Sequence, residues 1–151
     1  MTLTLPDKDP KATKTLISED LRDNKALVKR VLESCKDVRI FAFYGELGAG
    51  KTTLIKEFCK LLGVDERVSS PTFGILHEYE GERGPVYHFD FYRLQHPDEA
   101  YEIGVDEYFT SGEYCFVEWP ERVEDLLPES LATLHITVES PNRRTITLSC
   151  V

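Results

Sequence analysis

The 151 residues, 41% hydrophobic and 30% charged, suit one folded domain and are too rich in apolar residues for a disordered chain. A formal charge of -9, from 18 Lys and Arg against 27 Asp and Glu, argues against an extended nucleic-acid footprint made by this chain alone. No apolar run approaches the roughly 18 residues that span a bilayer, residues 1–11 hold no secretory signal, and four cysteines without a C-x-x-C pair read as reduced, buried thiols of a cytosolic protein.

In chain order, residues 1–14 are a polar lead-in to a single domain, and 15–17 form a short strand. Ser18 caps a helix over roughly 19–35, with Glu19 and Asp20 in its first turn, where negative charge suits the helix dipole. Leu21, Val28, Val31, Leu32 and Cys35 mark its apolar face. Residues 38–44 read as a buried strand. A glycine-rich loop follows, then a helix over about 51–62 with Leu54, Ile55, Phe58, Leu61 and Leu62 inward, stopped by Gly63. Residues 73–79 and 85–89 pair as a hairpin across 80–84, where two glycines ease the turn. A short helix begins at 97–101, loop chemistry occupies 107–112, and 114–118 is a strand. A short helix over 120–127 is closed by Pro128. Residues 131–138 and 145–148 form a terminal hairpin, with Arg143-Arg144 in the turn between them. The elements predict an α/β protein, and the strand–loop–helix order near the start predicts at least one parallel pairing.

The loop itself, Gly45-Glu46-Leu47-Gly48-Ala49-Gly50-Lys51-Thr52, fits G-x-x-x-x-G-K-[ST] at every fixed position. Its glycines let backbone N–H groups turn inward to cradle phosphates at a helix N-terminus. Lys51 supplies a point charge for the β- and γ-phosphates, and Thr52, with Thr53 beside it, supplies the hydroxyl for Mg²⁺.

Such a loop needs a carboxylate for the metal and a group to place the acceptor. Asp90 ends a strand beside the loop, where a magnesium-orienting carboxylate belongs; a helix or turn cap is the other reading. Alternation puts His88 on the same side as Asp90, and His88 stands open between a core role and a functional one. Glu118 also ends a strand and can orient water or complete the metal shell. Trp119 packs near the nucleotide or fills core, and Glu121 complements a helix dipole. Thr72, in a loop made rigid by Pro71, reads as a sensor of nucleotide state or as a structural turn hydroxyl. Arg93 meets phosphate or pairs with an acid such as Glu99.

Four blocks in order, GELGAGKTT at 45–53, SSPTF at 69–73, HFDFYRL at 88–94 and VEWPER at 117–122, resemble the small bacterial TsaE family. The resemblance implies a P-loop NTPase fold with a mostly parallel mixed sheet flanked by helices. It implies binding and slow hydrolysis of ATP with Mg²⁺. It also implies action with TsaD and TsaB in forming N6-threonylcarbamoyladenosine at position 37 of tRNAs that read codons starting with A. Carried over, Lys51 and Thr52 are the phosphate-loop pair, Asp90 the magnesium-linked aspartate, Glu118 the essential glutamate before tryptophan, and Thr72 the threonine of the S-P-T loop. Contact with tRNA is then indirect, through the partners. The competing reading is a small-molecule kinase with the same phosphate loop, for which the chain leaves little room for a lid and an acceptor subdomain.

Overall fold

The computed structural model describes residues 12–69 and 74–150. Its centre is β2 (Ile40–Tyr44), an aromatic and aliphatic run buried on both faces, as expected of a strand with helices above and below. Around it lie β1 (Ala12–Ser18), β3 (Leu76–Gly81), β4 (Gly84–Asp90), β5 (Tyr114–Glu118), β6 (Ala132–Val138) and β7 (Arg144–Cys150). They form one seven-stranded sheet in the order β1-β7-β6-β2-β5-β4-β3.

The sheet is evenly mixed, which corrects the expectation of a mostly parallel one. The pairs β6–β2, β2–β5 and β5–β4 are parallel, while β1–β7, β7–β6 and β4–β3 are antiparallel. The reason lies in the connections. Tight turns join β3 to β4 and β6 to β7, and a short turn can only reverse a strand. Those hairpins occupy one flank and most of the other, and β1 extends the second flank antiparallel to β7. Parallel pairing is confined to the centre, where longer crossovers are available.

Helices cover both faces. On one, α1 (Asn24–Ser34) and α2 (Lys51–Leu61) pack Val28, Val31, Ile55 and Phe58 onto Phe41, Phe43 and Phe116. On the other, α3 (Asp98–Glu102), α4 (Val105–Phe109) and a 3-10 segment, Pro120–Leu126, close over Phe89, Cys115 and Val117. Alternation along β5 sends Phe116 and Glu118 to the α2 side and Cys115 and Val117 to the other. The end of β4 does the same with His88 and Asp90 against Phe89, as its shared register with β5 requires.

Several local expectations shift. The lead-in is shorter than expected, since residues 12–14 belong to β1; residues 1–11, and Thr72 with its loop, lie outside the described residues. The first helix starts later than residue 19. Ser18 ends β1, Asp20 is extended and caps a single 3-10 turn by accepting from the Arg22 N–H, and α1 begins only at Asn24. Leu21, expected inward, is 73% exposed. Residues 105–109 are helical where loop chemistry was expected from 107, because Gly104 at φ 80 turns the chain and restarts a helix. The reduced-thiol reading also changes. Cys35 at the end of α1 and Cys150 at the end of β7 are joined as a disulfide, with Cα atoms 6.0 Å apart, while Cys59 and Cys115 are free and buried. Burial pushes both free thiols up to about 12. Among the described residues no helix is long and apolar enough to cross a membrane.

Candidate nucleotide site

The C-terminal ends of β2, β4 and β5 meet the N-terminus of α2, and the site lies in the crevice outside them. The glycine-rich loop leaves β2 at Gly45, makes a turn closed by Ala49 N–H to the Glu46 carbonyl at 2.9 Å, and enters α2 through Gly50. Gly50 holds φ 108 as the N-cap, a conformation that a side chain makes costly. At Gly45 the constraint is space, since a Cβ would sit 3.1 Å from both the Ala49 Cβ and the Ile136 carbonyl. The exposed side chains of Glu46 and Leu47 contribute backbone to the loop rather than packing.

Lys51, the first residue of α2, is only 5% exposed. Its ammonium donates to the Gly45 carbonyl at 2.6 Å and lies 3.6 Å from the centre of the Trp119 ring. Burial lowers its pKa, while Glu118, Glu121 and Asp90 pull it back up. Trp119 is the one non-glycine residue with positive φ among those described, at φ 59. That left-handed turn directs the chain out of β5 and lays the indole on Lys51, a strained conformation of the kind that collects at functional sites.

At the next residue of α2, the Thr52 hydroxyl reaches Glu118 across 66 residues of sequence, at 3.0 Å from Oε1 and 2.9 Å from Oε2. Glu118 is 3% exposed and also accepts from His88 Nε2 at 2.7 Å. Asp90 is the register neighbour of Glu118 on β4. Its Oδ1 accepts the Tyr92 N–H at 3.0 Å, so it caps the turn after β4 while lining the same cavity. Burial raises the Asp90 pKa, the Tyr92 N–H lowers it, and Glu118 raises it further. Asp90 and Glu118 thus converge with the loop, whereas Thr72 lies outside the described residues.

The cavity over the loop is about 760 Å³ and is lined by Lys51, Thr52, Thr53, Asp90, Arg93 and Glu118 among others. A second cavity of about 260 Å³ shares Gly48, Gly50 and Thr53 with it and extends to Ser18, Asn24 and Asn142. Ser18 is buried there, within 3.1 Å of Asn24 Oδ1 and 3.0 Å of the Asp20 carbonyl. The two spaces together run along both sides of the loop. They suit an elongated ligand with an anionic end at the helix N-terminus.

Arg144 is a residue that the sequence reading placed in a turn. It begins β7 instead, and its Nε donates to the Ala49 carbonyl at 2.9 Å while Nη1 donates to the Ser140 carbonyl at 3.0 Å. Nothing local to Arg143-Arg144 signals this, because the contact spans 95 residues. The fork braces the back of the loop. If the loop holds ATP, as the resemblance implies, Arg144→Ala should weaken its binding by about three- to tenfold, less than the full worth of a charge-assisted hydrogen bond because Arg144 acts through the loop, with little change in kcat. Arg144→Lys should restore it only in part, because an ammonium lacks the planar fork that holds both carbonyls in place. Calorimetry decides the point, and equal affinity in all three proteins would mean that the loop keeps its shape unaided.

The family model for the threonylcarbamoyl adenosine biosynthesis protein TsaE matches residues 18–146. The tRNA threonylcarbamoyladenosine biosynthesis protein TsaE of Bacillus subtilis strain 168 is 38% identical over 129 residues, which is 85% of this chain and 80% of that protein. The protein of the same name from Treponema pallidum strain Nichols is 37% identical over 123 residues, 82% of this chain and 88% of its own. The crystal structure of Bacillus subtilis YdiB superposes with a TM-score of 0.72 at 30% identity, covering 95% of this chain and 89% of that one. The match spans the phosphate loop, the ends of β4 and β5 and the start of β7, so it contains every side chain of the site described above. The chain belongs to the TsaE family of threonylcarbamoyl adenosine biosynthesis proteins.

Proposed function

We propose that the chain is a magnesium-dependent ATPase subunit, slow on its own, that acts with TsaD- and TsaB-like partners in forming N6-threonylcarbamoyladenosine at position 37 of tRNAs reading codons that start with A. The observation that carries the nucleotide half is the hydrogen bond from Thr52 to Glu118 at the mouth of α2, beside buried Lys51. The tRNA half rests on the family and on what its relatives are named for. The charge of -9 supports indirect contact with tRNA.

Charge in the cavity argues for a metal. Lys51 and Arg93 face Asp90, Glu99 and Glu118 there, so a triphosphate would enter a space that is already net negative. The donors suit magnesium, which takes few protein oxygens and leaves the rest of its octahedron to phosphate and water. Among the described residues no group of three or more His, Cys, Asp or Glu is arranged to hold a cation by itself, which fits a site completed by the nucleotide. Thr52 and Glu118 would hold the ion, with Asp90 beside them. Bound there, magnesium would neutralise charge developing on the terminal phosphates. Lys51 exchanges the Gly45 carbonyl and the Trp119 face for phosphate oxygens, Thr53 and the amides of 48–53 orient the chain of phosphates, and the second cavity receives the nucleoside. Thr72 would report the nucleotide state to a partner.

The test is reconstitution of the tRNA modification from the partner pair, tRNA, ATP and the activated threonylcarbamoyl donor, with and without this chain. Repeated turnover should require the chain and hydrolysable ATP, and the partners should raise its ATPase rate. Full multiple-turnover modification without it would overturn the reading.

A further inference from the structure

His88 is completely buried on β4, and the proposed chemistry makes no use of it. Its Nε2 lies 2.7 Å from Glu118 Oε2, while its Nδ1 is buried with no hydrogen-bond partner among the described residues. A carboxylate only accepts, so Nε2 carries a proton and donates it to Glu118. The register explains the reach. His88 pairs with Phe116 and Asp90 with Glu118, so His88 sits one pleat behind Glu118 on the α2 face of the sheet. From there the imidazole meets the carboxylate from the sheet side, and Thr52 meets it from the helix side.

We propose that His88 is a positioning residue: its Nε2–H holds the Glu118 carboxylate in register with the Thr52 hydroxyl at the nucleotide end of α2. The Tyr79 ring lies 6.4 Å away and the cross-strand partners are His77 and Phe116, and an apolar side chain here would avoid burying a polar ring. A buried imidazole kept for one hydrogen bond to a carboxylate that faces the ligand cavity is what setting that carboxylate requires. Without it, Glu118 keeps the Thr52 contact on the helix side but loses its hold from the sheet side, and the hydroxyl and carboxylate no longer present one shaped pair.

The inference rests on the reading that Glu118 serves the metal, and the experiment separates the two. Affinity for a non-hydrolysable ATP analogue is measured by calorimetry with EDTA and with Mg²⁺, and the gain from Mg²⁺ is compared among variants. The Nε2 of glutamine superposes on that of histidine, whereas the Nδ2 of asparagine falls where Nδ1 is and cannot reach Glu118. His88→Gln should keep the Mg²⁺ gain within about twofold, and His88→Asn should lose roughly tenfold of it, with affinity in EDTA unchanged for both. A full gain in His88→Asn, or an equal loss in EDTA, overturns the positioning role. A full gain in Glu118→Gln overturns the metal reading itself, and the proposal with it. A readout on the unaltered protein covers the case in which His88→Asn does not fold. ¹⁵N spectra of the imidazole should show the Nε2–H tautomer, with the signal moving when Mg²⁺ and nucleotide are added; an Nδ1–H tautomer would overturn it.

Discussion

Glu118→Gln should lower ATP turnover by about a hundredfold or more while nucleotide binding in EDTA stays close to that of the parent. The substitution is nearly isosteric, so the contacts from Thr52 and His88 can still be made to the amide oxygen and the fold is preserved. What disappears is the negative charge at the end of β5, and with it the group able to orient water or attract the cation. An alanine there would confound the result, because it would strand a buried imidazole and a hydroxyl together. Single-turnover hydrolysis and reconstituted multiple-turnover modification give the answer in parallel. If Glu118→Gln supports both at the parental rate, the carboxylate is a structural anchor for α2 and no part of the chemistry.

Lys51→Ala should weaken ATP binding by at least tenfold, and by up to about a hundredfold, since charge-assisted contacts to phosphate are the strong ones. The structure sharpens the argument beyond the motif. Lys51 is almost fully buried before any phosphate arrives, with its charge shared between a carbonyl and an indole face. Burial already lowers its pKa, while the nearby carboxylates pull it back up. A phosphate therefore meets a cation already stripped of much of its water, so little desolvation remains to oppose binding. Removing it leaves a cavity dominated by Asp90, Glu99 and Glu118, which repels the ligand. Equal affinities for parent and variant by calorimetry would rule this out. The two variants also fail differently. Lys51→Ala should lose binding with or without metal, whereas Glu118→Gln should lose turnover and the metal-dependent gain.

Much of the site was legible because its parts are local in sequence. The loop from Gly45 to Thr52 builds its geometry from consecutive backbone units, and the glycines at 48 and 50 adopt positive φ angles. The strand before it and the helix after it follow from one apolar run and one period of apolar residues, and their observed limits differ from the expected ones by two residues or fewer. The strand end at Glu118 could be read from the apolar run before it, and the shared side of His88 and Asp90 from alternation, because alternation assigns a side chain to a face of its own strand. The failures were of another kind. The start of α1 was misplaced because Asp20 caps a separate 3-10 turn, Leu21–Asp23, and α1 begins only after it, at Asn24, with Asp23 at its N-cap position and no side-chain cap.

The amino-acid sequence by itself determined that a phosphate loop stands between a buried strand and an amphipathic helix, and that acidic strand ends are available to it. Only the tertiary structure decided which acid meets which partner. Thr52 bonds to Glu118 across 66 residues, His88 to Glu118 across 30, Arg144 to Ala49 across 95, and Cys35 to Cys150 across 115. It also decided the even balance of parallel and antiparallel pairs. Periodicity records which face of an element is apolar, but it carries no record of which strand lies next to which. That choice depends on how the short hairpins and longer crossovers can be accommodated around one shared core, and every contact made across the sheet waits on it.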